Sequence, residues 1–230
     1  MSGKLIVFDG GDGSGKATQM RILIDRLEKE GYKVRTIDFP QYDNNFFGKI
    51  IADGQCGEYG NWLELDPHLT SVFYAGDRFE TAPKIRKWLE DDYIVLLDRY
   101  VSANQIHQGG KIKDTIKRRK FLDFLSRLEY GVFQLPKPDS ILYFLIDEET
   151  SLENLKKKKP ELYKKGREDQ TENSKDYLVN SRKCAQWLAS QDNSWNVIDC
   201  MCSEKMCDIE HIHEQVYKIV IELLQDKKER

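Results

Sequence analysis

Lys16 follows the run Gly10-Gly11-Asp12-Gly13-Ser14-Gly15 and precedes Ala17-Thr18, directly after the apolar stretch Leu5-Ile6-Val7-Phe8. Glycines at this spacing let consecutive backbone N–H groups turn toward one point. The helix that follows adds its positive N-terminal end, and the lysine amine reaches the outer phosphates. The stretch from Gly10 to Thr18 is therefore a candidate triphosphate cradle. Its common form ends in Lys-Ser/Thr, whose hydroxyl binds magnesium; Ala17 stands in that place here, and Thr18 lies one residue further round the helix.

A second set of groups ends the apolar run Val95-Leu96-Leu97 as Asp98-Arg99-Tyr100. In open parallel sheets, ligands sit at the carboxyl ends of strands, so Asp98 is expected to face the cradle and help hold a metal ion. A residue that activates water would be a glutamate at the next position. Arg99 instead offers a fixed guanidinium, which suits a second phosphate as acceptor. A guanine-specific switch would need Asn-Lys-x-Asp; Asn173-Ser174-Lys175-Asp176 has a different order.

Elements that position these groups follow from periodicity. Strands are expected over Leu5–Phe8, Val34–Phe39, Tyr93–Leu97, Ile141–Ile146 and Trp195–Ile198, with helical spacing between them. Met20, Leu23, Ile24 and Leu27 share one helix face, and Ile209, Ile212, Val216, Ile219 and Val220 share another. The pattern predicts an α/β fold with a central five-stranded parallel sheet flanked by helices, in one domain over residues 1–230. Pro40 to Pro67 reads as loops with a short helix over the cleft, and a helix is expected from Pro67 through Phe79. The polar stretch 154–176 reads as a mobile lid or, equally, as a solvated charged helix.

The chain has 36 basic and 39 acidic residues, a net charge of −3, which gives no general attraction to nucleic acid or membranes. No segment has the length and apolarity of a membrane span. Removing the N-terminus as a signal peptide would remove the first strand and the cradle, so a cytoplasmic enzyme is expected. Five cysteines without paired spacing predict reduced thiols that serve packing. Cys200, Cys202 and Cys207 lie near His211 and His213, yet their spacing fits no common zinc template, and the two histidines should face different sides of a helix.

Five elements in order resemble the thymidylate kinase family: Phe8-Asp9-Gly10-Gly11-Asp12 with the cradle, Phe39-Pro40-Gln41-Tyr42, Tyr74-Ala75-Gly76-Asp77-Arg78, Asp98-Arg99-Tyr100 and Leu135-Pro136-Lys137-Pro138-Asp139. The resemblance implies a P-loop NTPase fold and a homodimer that moves the γ-phosphoryl group of ATP to dTMP with Mg2+. It implies that Lys16 and the loop amides hold the donor, that Asp12 lies near the acceptor sugar and the metal, and that Arg99 grips the acceptor phosphate. Tyr74 would stack on the pyrimidine, Arg78 would donate to a base carbonyl, and Asn104 would read the base edge. Phe39 and Pro40, with a cis bond possible between them, would lie against the sugar and phosphate, where Tyr42 could donate its hydroxyl.

Departures from the family pattern carry their own expectations. Asp38 and Gln41 stand where many relatives carry an arginine beside Phe-Pro. Gly13 replaces the loop arginine of some relatives, so the transferring group would be met by a lid cation: Arg167, or failing that Lys164 or Lys165. Replacing Arg167 should then cut turnover and spare acceptor binding. His107 occupies the place of an aromatic that helps exclude a ribose 2′-hydroxyl, and Gln108 beside it could add a base contact. Titration of His107 would make affinity pH-sensitive, whereas simple packing at the cleft would not. A kinase of another nucleoside monophosphate or of a deoxynucleoside, and a catalytically silent nucleotide-binding module, are the alternative readings.

Overall fold

The computed structural model describes residues 3–158 and 175–225. The five apolar runs form the strands β1 (Lys4–Gly10), β2 (Val34–Asp38), β3 (Ile94–Asp98), β4 (Ser140–Leu145) and β5 (Trp195–Asp199). All pair in parallel, in the order β2-β3-β1-β4-β5. Strands buried on both faces need apolar residues at successive positions, which is why β1, β3 and β4 lack clear alternation. The register sets Phe8 beside Asp98 and Gly10 beside Phe144, so the glycine loop leaves the sheet next to the end of β3.

Helices α1 (Lys16–Lys29), α2 (Phe46–Gln55), α3 (Pro67–Glu90), α4 (Val101–Gly110), α5 (Thr115–Ser126), α6 (Glu148–Lys158), α7 (Lys175–Ala189) and α8 (Ile209–Gln225) surround the sheet. One apolar layer joins Val95 and Leu97 of β3 to Ile85 and Ile106; the other joins Phe8 and Leu96 to Leu23, Ile212 and Val216. The side chain of Asp66 caps α3 through the His68 N–H, with Pro67 in the first turn, where proline costs no helical bond. This helix runs past the expected end at Phe79 to Glu90 and through Pro83. The expected short helix of the 40–67 segment is α2.

Most of the segment expected as a lid or a charged helix lies outside the described residues, and the expectation of reduced cysteines needs correction. Helix α6 continues to Lys158 and α7 begins at Lys175, so both ends of the expected lid are helical; residues 159–174, with Lys164, Lys165 and Arg167, lie outside the described residues. The cysteines are not all thiols. A hairpin of β6 (Met201–Cys202) and β7 (Lys205–Met206) joins Cys202 to Cys207 in a disulfide, while Cys56, Cys184 and Cys200 are free. A tight turn around Ser203, at φ 61°, brings the two cysteines together, a geometry their spacing alone did not reveal. His213 is buried and His211 exposed, as opposite helix faces require. Among the described residues, no helix is long and apolar enough to cross a membrane.

Candidate active site

The glycine loop is shaped by what crowds it. Gly10 has φ 138°, and a Cβ there would lie 2.6 Å from the Phe144 carbonyl oxygen. Gly13 has φ 79°, and its Cβ would lie 2.6 Å from the Ser151 carbonyl oxygen of α6. Ser151 donates its hydroxyl to the Asp12 carbonyl at 2.5 Å, and Asn154 donates to the Gly13 carbonyl at 2.9 Å. Asn154 thus braces the loop. No side chain other than glycine's fits at residue 13 with α6 in this place, which explains the missing loop arginine. Gly13→Ala is expected to destabilise the fold by at least about 1–2 kcal/mol, the ordinary penalty of a left-handed residue bearing a Cβ. Thermal unfolding should show a lower Tm, with less stabilisation by added ATP.

Helix α1 is preceded by Gly15 at its N-cap, with no side-chain cap and no acidic residue in its first turn, which leaves its first amides to an anion. Lys16 is buried and folds back, donating to the carbonyls of Gly10 (2.8 Å) and Gly11 (3.0 Å). Burial, and then the nearby Arg99 guanidinium, depress its pKa. Polyphosphate at the loop would relieve both effects. Gly11 and Ala17 are exposed along this rim, and Thr18 is half-buried.

Magnesium is tested by the donor set. The Oδ1 atom of Asp98 and the hydroxyl of Ser14 are buried and lack a hydrogen-bond partner among the described residues. A carboxylate and a hydroxyl beside a phosphate loop are the hard oxygen donors that Mg2+ prefers. Ala17 offers no donor, and Ser14 supplies a hydroxyl within the same loop. Asp9, fully buried, accepts from the Gly10 amide (2.8 Å) and from Ser102 (2.5 Å), and burial raises its pKa.

Arg99 pairs with Asp12 at 2.7 Å, joining the end of β3 to the loop; Asp98 is not its partner. The Asp12 carboxylate, first among its neighbours, holds the guanidinium firmly charged. Its backbone sits at φ 64°, a conformation uncommon for a side chain of this kind, and its amide donates to the Phe8 carbonyl at 2.8 Å. Strained backbone of this sort concentrates at working sites, where surrounding structure enforces it.

Beyond Arg99 opens a cleft with about 740 Å³ of empty space, bounded by the loop at Gly11 and Asp12. Phe39, Pro40 and Tyr42 form one wall, and the Phe39–Pro40 bond is cis. Tyr74 and Arg78 both face the cleft, one helical turn apart on α3. Trp62 (3.3 Å) and Gln55 (3.4 Å) donate to the Tyr74 hydroxyl, satisfying a polar group that phenylalanine would lack. Gln41 and Asn45 hold Asp77 through its two carboxylate oxygens, while burial raises its pKa.

Arg78 is more committed than the sequence suggested. Its Nε and one terminal nitrogen donate to Glu129 at 2.7 and 2.8 Å, and the other donates to the Tyr100 carbonyl at 3.1 Å. Asn104 spends its amide hydrogens on Glu129 (3.0 Å) and the Ser71 carbonyl (3.2 Å). Glu129 is completely buried in a π-helical turn, Arg127–Val132. Sequence reasoning missed it, because its only signal is an ordinary charged residue within an amphipathic helix. Gln108 is buried at the cleft, its Oε1 lacking a partner among the described residues.

His107 packs at the cleft. Its ring stacks on Tyr177 (centroids 5.6 Å apart), its Nδ1 lies 3.3 Å from the Ser181 hydroxyl, and its Nε2 lies 3.5 Å from an Arg99 nitrogen. Burial, then Arg99, push its pKa down to about 3. It stays neutral near pH 7, so pH-sensitive affinity is not expected of it. A lowered histidine pKa gives stability that is full above the unfolded value of about 6.5 and declines as pH falls through it. His107→Phe is therefore expected to flatten the loss of Tm between about pH 7 and pH 5. Tyr177 and Leu178 of α7 complete this wall and were not singled out from sequence. A further cleft against the loop is bounded by Glu148, Ser151 and Arg182.

Sheet order, glycine loop, buried lysine and a strand-end carboxylate together define a P-loop NTPase fold. A family model described as thymidylate kinase matches residues 8–227. The chain belongs to the thymidylate kinase family. It is 30% identical over 135 residues to a curated thymidylate kinase of Mycobacterium tuberculosis, a match covering 59% of this chain and 62% of that one. It is 31% identical over 159 residues to the Caldicellulosiruptor saccharolyticus thymidylate kinase, covering 68% and 71%. The first of these matches thus spans somewhat less than two thirds of its relative's length. A solved thymidylate kinase from Candida albicans shares the fold at a TM-score of 0.74 and 23% identity, covering 95% of this chain and 91% of that one.

Proposed function

We propose that the protein transfers the γ-phosphoryl group of ATP directly to dTMP, giving dTDP and ADP. One observation carries this reading: Arg99 reaches from the end of β3 to the phosphate loop, at the junction between an amide-lined donor cradle and an aromatic-walled cleft. In-line transfer needs two anions brought together, and positioning with charge neutralisation supplies nearly all of its catalysis.

The loop amides and Lys16 bind the donor, and Arg99 takes the acceptor phosphate. Asp98, Ser14 and Asp12 are the residues we assign to Mg2+, which would offset the negative charge of the donor phosphates. Asn104, with both amide hydrogens given to the protein, has only its carbonyl oxygen to offer. An acceptor there suits the N3–H of thymine or uracil and opposes the bare N3 of cytosine. Tyr74 supplies a stacking face, and Arg78 retains N–H groups for a base carbonyl. We assign the lid cation to Arg167, with Arg182 as a described basic group beside the loop. Leu69 and Phe79 of α3, Ile116 of α5 and Val132 are exposed apolar side chains that support a homodimer. We place the activity in the cytoplasm, where both nucleotides are available.

Coupled measurement of ADP release across dTMP, dUMP, dCMP, UMP and thymidine tests the reading. The expected result is turnover with dTMP, weaker turnover with dUMP, and none with dCMP. Preference for thymidine would make the protein a nucleoside kinase, and ATP binding without any acceptor-stimulated turnover would make it a silent binding module.

A further inference from the structure

The hairpin that follows β5 carries groups that phosphoryl transfer does not use. The Cys202 and Cys207 sulfurs and a His211 ring nitrogen all lie within 4.8 Å of one another. The hairpin sets the two cysteine Cα atoms 4.9 Å apart, and the Cys207 amide donates to the Cys200 carbonyl at 2.9 Å, which fixes the base of the ribbon. Asp208 accepts from the His211 amide at 2.7 Å, starting α8 so that the His211 ring returns over the hairpin. That ring makes no hydrogen bond among the described residues. Cys202 and His211 are exposed, so a ligand could enter directly from solvent.

We propose that Cys202, Cys207 and His211 form a binding site for a thiophilic divalent cation of the zinc class, open when the two thiols are reduced and closed when they join as a disulfide. Two thiolates and one imidazole are a zinc donor set, at metal distances of about 2.3 Å to sulfur and about 2.0–2.1 Å to nitrogen. Three donors already this close need only side-chain rotation to meet one ion, and water fills the fourth position on the exposed side. Two thiolates and an imidazole suit a thiophilic ion rather than oxygen-seeking Mg2+, so this site and the transfer site select different metals. The proposal goes beyond the phosphotransferase reading and stands without it.

Closure is a balanced exchange with a small disulfide such as glutathione disulfide. The metal-bound thiolates of Cys202 and Cys207 give up two electrons and form their S–S bond. The reagent's S–S bond breaks, its two sulfurs take those electrons and two protons from solvent, and the cation leaves. The site also borders the transfer machinery. The Met206 sulfur accepts from Asn154 at 3.2 Å, a Cβ at Gly15 would lie 3.1 Å from the Met206 methyl, and the Cys200 thiol faces the Ser14 carbonyl at 3.8 Å.

The test uses the full chain, reduced with a phosphine and kept in excess Mg2+ so that carboxylate sites are filled. Titration with Co2+ is expected to give one equivalent bound, with thiolate-to-cobalt absorption in the near ultraviolet and the strong visible bands of a tetrahedral ion. Zn2+ should displace it, and glutathione disulfide should abolish the spectrum. Cys202→Ser, at an exposed position, should weaken Zn2+ binding by at least about a hundredfold, more than the 10–100-fold that loss of a supporting outer partner costs. His211→Ala should keep the sulfur band and lose affinity. Circular dichroism shows that each variant is folded. The proposal is overturned if the reduced chain binds no more metal than Cys202→Ser, if binding survives oxidation, or if His211→Ala binds at full strength.

Discussion

Arg99→Met is expected to lower kcat/KM for dTMP by about 10³–10⁵-fold, the range seen when a guanidinium is lost from a phosphoryl-transfer site. Methionine preserves the length and apolar stem of the side chain but cannot donate to phosphate. The lost partner, Asp12, is 42% exposed, so water takes over its hydrogen bonds and the fold should remain stable. Steady-state kinetics with each substrate varied in turn checks this. The effect should fall on both kcat and the KM for dTMP, and leave the KM for ATP within a few-fold. A rise confined to the KM for ATP would place Arg99 on the donor rather than on the acceptor.

Glu129→Ala is the substitution with the largest expected effect on stability. Arg78 and Glu129 are a bidentate pair at 2% and 0% side-chain exposure, so removing the carboxylate leaves a buried guanidinium without its partner. Breaking such a pair costs about 3–5 kcal/mol. With about 2–4 °C of Tm per kcal/mol for a chain of this size, thermal unfolding should shift down by roughly 10 °C. Glu129→Gln, which keeps shape and one acceptor, should be milder in stability yet informative about base choice. Its amide competes for the same hydrogen bonds, frees Asn104 to turn, and is expected to raise dCMP turnover relative to dTMP. An unchanged ratio would mean that Asn104 takes its orientation from the Ser71 carbonyl alone.

Sheet and phosphate loop were legible because their physics is local. Contiguous apolar runs mark strands buried on both faces, and glycines at Gly10, Gly13 and Gly15 mark backbone that side chains cannot occupy. Asp98 and Arg99 were placed by a topological rule, since strand ends gather ligands whatever the rest of the fold does. What escaped was set by contacts distant in sequence. Glu129 meets Arg78 across 51 positions and carries no local mark of that role. Asn154 and Ser151 belong to a polar helix whose purpose is visible only against Gly13 and Asp12. The Cys202–Cys207 pair was hidden for another reason: spacing cannot show a hairpin formed by a single left-handed residue, Ser203. His107 was left between titration and packing because composition does not report burial, and burial decides it.

The most direct test of a guanidinium that meets the acceptor's phosphate is a binding cycle across dTMP, thymidine, the unaltered chain and Arg99→Met. Calorimetry without ATP measures all four affinities. The substitution is expected to weaken dTMP binding by roughly 10–100-fold, the worth of hydrogen bonds to a charged group, while thymidine binding hardly changes. Equal losses for dTMP and thymidine, or no loss for either, would contradict it.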